Sequence, residues 1–336
     1  MKPRLVGGVL VALVVLALVA GAAALVALDR FERDGPLAED VTVVVPRGTN
    51  LSAISRLLQD SGVVEDARVF KWGVRLLGSA ENLKAGEFAF PAGVSMRGAL
   101  EILDRGETVA RWLTVAEGLT STEIVALVAA AEGLSGEPGP VPPEGSLLPE
   151  TYHYSRDDDR AALIDRMRSG MEVVLAELWP ERAEGLPIKT PEEAVILASI
   201  VEKETGVAEE RPLVASVFTN RLKRRMRLQS DPTVVYGLTL GKAPLGRQLI
   251  FRDLDKPTPY NTYTNGGLPP GPIANPGRAA IAAVLNPAQT SYLYFVADGS
   301  GGHAFAKTLV EHNKNVAKWR MIQRQQRRKQ KRQNAQ

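Results

Sequence analysis

The stretch Pro191-Glu-Glu-Ala-Val-Ile-Leu-Ala-Ser-Ile-Val-Glu-Lys-Glu-Thr-Gly206 contains both ends of a helix and one carboxylate on its apolar face. Thr190 and Glu193 have capping-box spacing, Pro191 suits the first helical position, and Gly206 is a natural terminator. At about 100° per residue, Glu204 falls in the sector set by Leu197, Ile200 and Val201, whereas Glu202 and Lys203 point away from it. Two effects raise the pKa of such a group. Burial disfavours its charged form, and the negative end of the helix dipole repels an anion. A Glu that holds its proton near neutral pH can donate it, so Glu204 is the candidate acid catalyst. The competing reading is a surface Glu on a frayed last turn.

The 336 residues are 45% apolar and 24% charged, enough for two or three domains with real cores. Leu5 to Leu28 is an uncharged run of 24 positions behind Lys2 and Arg4, long enough to cross a bilayer. A cleaved signal would have a shorter apolar core, though Ala20 to Ala24 supply small residues for a cleavage site. Read as an anchor, the run gives a single-pass protein. The basic pair places its N-terminus in the cytoplasm, and everything after Asp29 lies outside the membrane.

The chain has no cysteine, which excludes disulfides, thiolate chemistry and Cys-based metal sites. The net charge of +3 is uneven: residues 318–336 hold eight basic residues and no acid, and removing eight from +3 leaves −5. This basic tail lacks the interleaved aromatics of a nucleic-acid surface and reads as a solvated helix, with anionic wall polymer or lipid headgroups as weak partners.

Past the anchor, Val41–Pro46 reads as a strand, Asn50–Asp60 and Asp66–Leu77 as helices, and Gly86–Pro91 as a return strand. This order resembles a LysM-like module. A helix from Met96 to Asp104 and a strand from Thr108 to Val115 follow. A weak repeat is also present: Val45-x-x-Gly48 with Ile54 six residues on, and Val115-x-x-Gly118 with Ile124 six residues on. Thr120 and Glu123 have capping-box spacing for the second copy. The Gly- and Pro-rich residues 133–149 read as a linker.

Beyond them, helices are expected near Asp158–Leu178, Pro191–Thr205, Ala208–Arg224 and Gly277–Leu285. Tyr292–Val296 reads as a buried strand, and Gly301–Phe305 as a turn into the final helix. Between Leu228 and Pro276 the chain has little period and is dense in Pro, Gly, Asn and Tyr, as site-forming loops are.

Several residues of this half are candidate substrate ligands. Tyr260, Asn261 and Tyr263 offer the aromatic faces and amides that bind sugars, or else brace a Pro-rich loop. Gln229, Ser230 and Asp231 line a cleft or form a capped turn, with Tyr236 in the same stretch. Arg221, after Asn220, neutralises an acidic substrate or makes a structural pair. His303 is a base or a structural residue. The three histidines, at 153, 303 and 312, have no zinc-ligand spacing, and no metal or cofactor is expected.

Six runs in order resemble one family: Ala198-Ser-Ile-Val-Glu-Lys-Glu-Thr205, Val217-Phe-Thr-Asn-Arg-Leu222, Leu228-Gln-Ser-Asp-Pro-Thr-Val-Val-Tyr-Gly237, Pro259-Tyr-Asn-Thr-Tyr263, Gly267-Leu-Pro-Pro-Gly271 and Gly302-His-Ala-Phe305. The family is that of the membrane-anchored endolytic peptidoglycan transglycosylases, the YceG-like or MltG family. The chain departs from its pattern at Glu150, where Asp is usual, and at Thr258, where Ser is frequent.

The resemblance implies an α+β fold with a single N-terminal transmembrane helix, a LysM-like α/β module and a mixed α+β catalytic domain. The expected division is 1–4 cytoplasmic, 5–28 transmembrane, 29–40 linker, 41–132 LysM-like, 133–149 linker, 150–318 catalytic and 319–336 basic tail. It implies that Glu204 is catalytic, that glycan strands of peptidoglycan are the substrate, and that penicillin-binding synthases are partners at the plasma membrane. In such a reaction one carboxylate suffices, because the substrate's own C6 hydroxyl replaces the water that a second carboxylate would activate. The alternatives are a hydrolase of the same bond, with Asp231 or Glu202 helping a water, and a wall-binding scaffold without activity.

Overall fold

The computed structural model describes residues 3–333. Met1 and Lys2, and with them part of the expected cytoplasmic tail, lie outside these, as do the last three residues of the basic tail. Contacts divide the chain into two units, one reaching Arg111 and including His153–Asp157, the other made of Trp112–Tyr152 and the chain from Asp158 onward.

The first unit begins with α1, Pro3–Glu32, whose part from Leu13 to Glu32 is long and apolar enough to cross a membrane. Then come β1 (Val41–Val45), α2 (Leu51–Asp60), α3 (Ala67–Leu76), β2 (Gly86–Phe90) and α4 (Met96–Arg105). β1 and β2 pair antiparallel, with Val41 opposite Phe90 and Val45 opposite Gly86. Alternation puts Val43 and Val45 inside, where they meet Ile54, Leu58, Phe70, Val74, Phe88 and Phe90. Asn50, Asp66 and Ser95 cap α2, α3 and α4 with side-chain oxygens. Glu87 is buried on β2, and the Arg111 guanidinium, bonded to it twice at 3.0 Å, holds its carboxyl below the usual range.

The Val-x-x-Gly repeat is a real local design. Val45 and Val115 are each 2% exposed, and Gly48 and Gly118 turn the chain at φ +77° and +78°, a region that favours glycine. Two residues later Asn50 and Thr120 cap the helices that bury Ile54 and Ile124.

In the second unit the elements are β3 (Arg111–Thr114, whose first residue belongs to the first unit), α5 (Ser121–Ala130), β4 (Thr151–Tyr154, whose last two residues belong to the first unit), α6 (Arg160–Leu178), α7 (Pro191–Glu204), α8 (Arg211–Lys223), α9 (Asp231–Thr239), α10 (Phe251–Leu254), α11 (Arg278–Leu285), β5 (Tyr294–Ala297), β6 (His303–Ala306) and α12 (Leu309–Gln333). β3 pairs with β4, and β5 with β6. α7 is the centre: every residue from Ala194 to Val201 except Ile196 is buried, and its neighbours are α8, α9 and α11. The capping box expected at its start is half made. Thr190 Oγ1 accepts from the Glu193 N–H, but the Glu193 carboxylate reaches the N–H of Lys189 instead.

Four expectations are corrected here. Residues 133–149 are not a free linker: Leu147 and Leu148 are buried, and Glu144 accepts from Ser121 N–H and Asn275 Nδ2. Contacts divide the chain near Arg111, and α5 packs against α6. Within the expected loop lies α9, begun by Asp231-Pro232. The final turn is a strand, β6, which pairs residue for residue with a half-buried β5. α7 ends without a left-handed glycine, because Thr205 is extended at φ −138° and Gly206 has no positive φ.

Candidate active site

Glu204 is the last residue of α7, half-buried. Its Oε1 accepts a hydrogen bond from Ser230 Oγ at 2.5 Å. Ser230, just before α9, is held by its own backbone: its N–H donates to Thr262 Oγ1 at 3.0 Å and its carbonyl accepts from Thr233 Oγ1 at 2.7 Å. Burial lifts the Glu204 carboxyl from 4.5 to about 7; the Ser230 hydrogen bond opposes this, the Asp231 charge adds to it, and His303 and Arg221 counter it. The group is thus divided between acid and base near neutral pH, as a residue that gives and later takes a proton must be.

Glu204 opens into a cleft of about 460 Å³ whose lining includes Arg221, Gln229, Asp231, Tyr263 and Tyr294. Asp231 Oδ1 accepts from Tyr263 OH at 2.6 Å, and burial, with Asp231 beside it, keeps that phenol protonated. Arg221 is buried and underlies the cleft: Nε donates to Leu293 O and Nη1 to Leu228 O, each at 2.7 Å, and its guanidinium lies 5.2 Å from the Tyr294 ring centroid. A second cleft, of about 450 Å³, includes Lys203, Tyr236 and, again, Asp231 in its lining. Asp231 is therefore common to both.

The structure gathers Glu204, Arg221, Gln229, Ser230, Asp231 and Tyr263 around one cleft, and Tyr236 around the next. Tyr260 packs edge-on to Tyr236, with centroids 4.8 Å apart. Three other candidates turn inward and brace the scaffold. Asn220 Nδ2 donates to Thr290 O and Tyr292 O. Asn261 is fully buried and ties its own loop to Leu254 O and Lys256 O. His303 Nδ1 and N–H both meet Glu210, at 2.6 and 2.7 Å, which fixes the β5–β6 hairpin.

Glu202 points away from Glu204, as the helical wheel requires, but not into water. Its side chain is 4% exposed, accepts from Gly277 N–H at 2.9 Å and pairs with Arg211 at 3.3 Å. Gly277 is the N-cap of α11, so Glu202 joins α7, α8 and α11.

Sequence reasoning missed the far wall of the cleft, formed by Phe295, Leu309 and His312 together with Tyr294. His312 stacks on Tyr294 at 5.2 Å, and its Nδ1 is buried without a hydrogen-bond partner among the described residues. A histidine in the first turn of a strongly basic helix has no periodic signal to set it apart. Asn275, the buried hub that holds Leu119, Ser121, Glu144 and Leu147, was likewise hidden in a Pro-rich run.

The sequence matches the YceG-like family over residues 43–318. It is 32% identical over 328 residues to a protein of Bacillus subtilis (strain 168) named endolytic murein transglycosylase, covering 87% of this chain and 88% of that protein. A protein of the same name from Streptococcus pneumoniae serotype 2 is 29% identical over 326 residues, covering 82% of this chain but 58% of its own length. The crystal structure of a YceG-like protein from Listeria monocytogenes aligns with a TM-score of 0.52 at 31% identity, over 82% of this chain and 98% of that one. The chain belongs to the YceG-like family.

Proposed function

We propose that the protein is an endolytic murein transglycosylase, anchored in the plasma membrane by α1 with its N-terminus in the cytoplasm and its two units outside. It cuts the β-1,4 bond between N-acetylmuramic acid and N-acetylglucosamine in nascent strands, beside the synthases that make them. The observation that carries the reading is Glu204, a carboxyl lifted to about 7 at the edge of an open cleft.

The steps follow from one proton. Protonated Glu204 gives its proton to the glycosidic oxygen as the bond to muramyl C1 breaks. The C6 hydroxyl of the same sugar then bonds to C1 and returns its proton to Glu204. The products are a free 4-hydroxyl and a 1,6-anhydromuramyl end, with no water consumed. Two clefts that meet at Asp231 suit a strand running past Glu204 in both directions, which an internal cut requires. Tyr263 and Tyr294 supply faces for sugar rings.

A second reading rests on Asp231, which shares the cleft and could activate water in a hydrolase. Mass spectrometry of strands digested in oxygen-18 water separates the two. The transglycosylase leaves unlabelled anhydro ends, lighter by one water, and Glu204→Gln abolishes them. Labelled reducing ends as the main product would overturn the reading.

A further inference from the structure

α3 has three faces where a surface helix has two. Ala67, Phe70 and Val74 enter the core. Arg68, Lys71 and Arg75 form a basic strip. Val69, Trp72, Gly73 and Leu76 share a third sector about 100° wide, and it is apolar. Two of these four are uncovered: Trp72 is 62% exposed and Leu76 85%.

It forms one wall of a groove of about 620 Å³ whose other wall is Ala24, Ala27, Leu28 and Phe31 of α1. These residues are the C-terminal part of the helix that is long and apolar enough to cross a membrane. With Leu28 at the edge of the hydrocarbon, Ala24 lies about 6 Å inside it at 1.5 Å rise per residue. The groove then straddles the depth at which acyl chains give way to headgroups.

α3 is clamped to this end of α1. Phe31 stacks on Phe70 with centroids 6.4 Å apart, and a Cβ at Gly73 would come within 2.3 Å of the Phe31 ring. Glycine inside a helix costs about 1 kcal/mol relative to alanine, and here it admits that ring. Arg97 donates to Glu32 at 2.6 Å and Arg33 to Glu65 at 2.5 Å, on either side of the contact. Wherever α1 crosses the bilayer, α3 is carried to its surface.

We propose that α3 is an interfacial membrane helix. Acyl chains of the leaflet at the C-terminal end of α1 fill the groove, Trp72 sits at headgroup level, and Lys71 and Arg75 meet lipid phosphates. The apolar face beside a basic strip is the pattern of helices that lie in the interface. Tryptophan is enriched at that depth, and Arg75, 5.5 Å from the Trp72 ring centroid, can reach outward from it. The first unit is then held at a fixed height and does not swing on a tether. This goes beyond the catalytic reading and rests only on α1 being an anchor.

The chain has no cysteine, so a single nitroxide can be placed on the full-length protein in vesicles of phosphatidylethanolamine and phosphatidylglycerol. In the Leu76→Cys variant, power saturation should show collisions with oxygen severalfold favoured over a water-soluble nickel chelate, relative to a label in Arg75→Cys. A label in Leu16→Cys reports the anchor independently. If that label is in lipid while the Leu76 position meets nickel as freely as the Arg75 position, the interfacial helix is overturned and the anchor stands. Shielding of the Leu76 position from both reagents also overturns it, since a second copy of the chain then covers the groove. If the Leu16 label is itself in water, both ideas fail.

Discussion

Ser230 Oγ donates to Glu204 Oε1 across 2.5 Å, and the next residue along, Asp231, acts on the same carboxyl in the opposite sense. A donor favours the charged form and a neighbouring anion disfavours it, so two adjacent residues at the start of α9 bracket the acid. Since Glu204 must be protonated to begin the reaction, kcat/KM should fall as pH rises through about 7. Ser230→Ala should move that alkaline limb upward and Asp231→Asn should move it downward. Asn can still accept from Tyr263, so the second change leaves the local geometry intact. Profiles on purified glycan strands check both signs, and limbs that move together would contradict the assignment.

Glu204→Gln should lower turnover by a factor on the order of 10² to 10⁴, because one group serves as acid and then as base. It should also raise stability at alkaline pH. A carboxyl at about 7 in the fold and 4.5 outside it makes the native state bind the extra proton, so stability is lost as pH rises between those values. That difference corresponds to roughly 3 kcal/mol at most above pH 8. Denaturant titrations at pH 5 and pH 8 should show the wild type weakening with pH and the variant hardly changing.

Glu202→Gln should do the reverse. Glu202 is buried between the N-cap of α11 and Arg211, whose Nε is already buried without a hydrogen-bond partner among the described residues. Removing the charge leaves that guanidinium paired with Glu117 alone, at 2.8 Å, and weakens the buried contact at a cost of about 1 to 3 kcal/mol. Activity per folded molecule should survive far better than in Glu204→Gln. The two variants therefore separate in opposite assays: unfolding midpoint for one, turnover for the other.

Local signals carried the first unit and the central helix. β1, α2, α3, β2 and α4 could be read because their patterns are local and each helix has its own cap, and Asn50, Asp66 and Ser95 do locally what their residue types allow. The face of Glu204 followed from 3.6 residues per turn. What escaped depends on distant partners. Proline and glycine in residues 133–149 look the same in a tether and in a packed segment, and only Asn275, whose Oδ1 accepts from Leu147 N–H, decides between them. Asn220 and Asn261 resemble sugar ligands in sequence, yet their amides bond backbone carbonyls, Asn220 some seventy residues away. The His312 wall exists because α12 packs back on β5, a contact that no spacing within either element records.

Arg221 tests whether the cleft is built or merely lined. One guanidinium joins Leu293 O beside β5 to Leu228 O beside Gln229, so it spans two walls that the chain reaches by separate routes. Burial lowers its pKa from the ordinary value, but an arginine keeps its charge, and its planar fork serves both carbonyls at once. Lysine retains the charge and loses the fork. Arg221→Lys should therefore cost about 1 to 3 kcal/mol in stability and raise KM, because Tyr294 and Gln229 lose their shared support. The alkaline limb set by Glu204 should move little, since a positive charge remains nearby. Full stability and unchanged KM in Arg221→Lys would mean that charge alone is what the cleft needs; a lost limb with normal KM would place Arg221 in the proton chemistry instead.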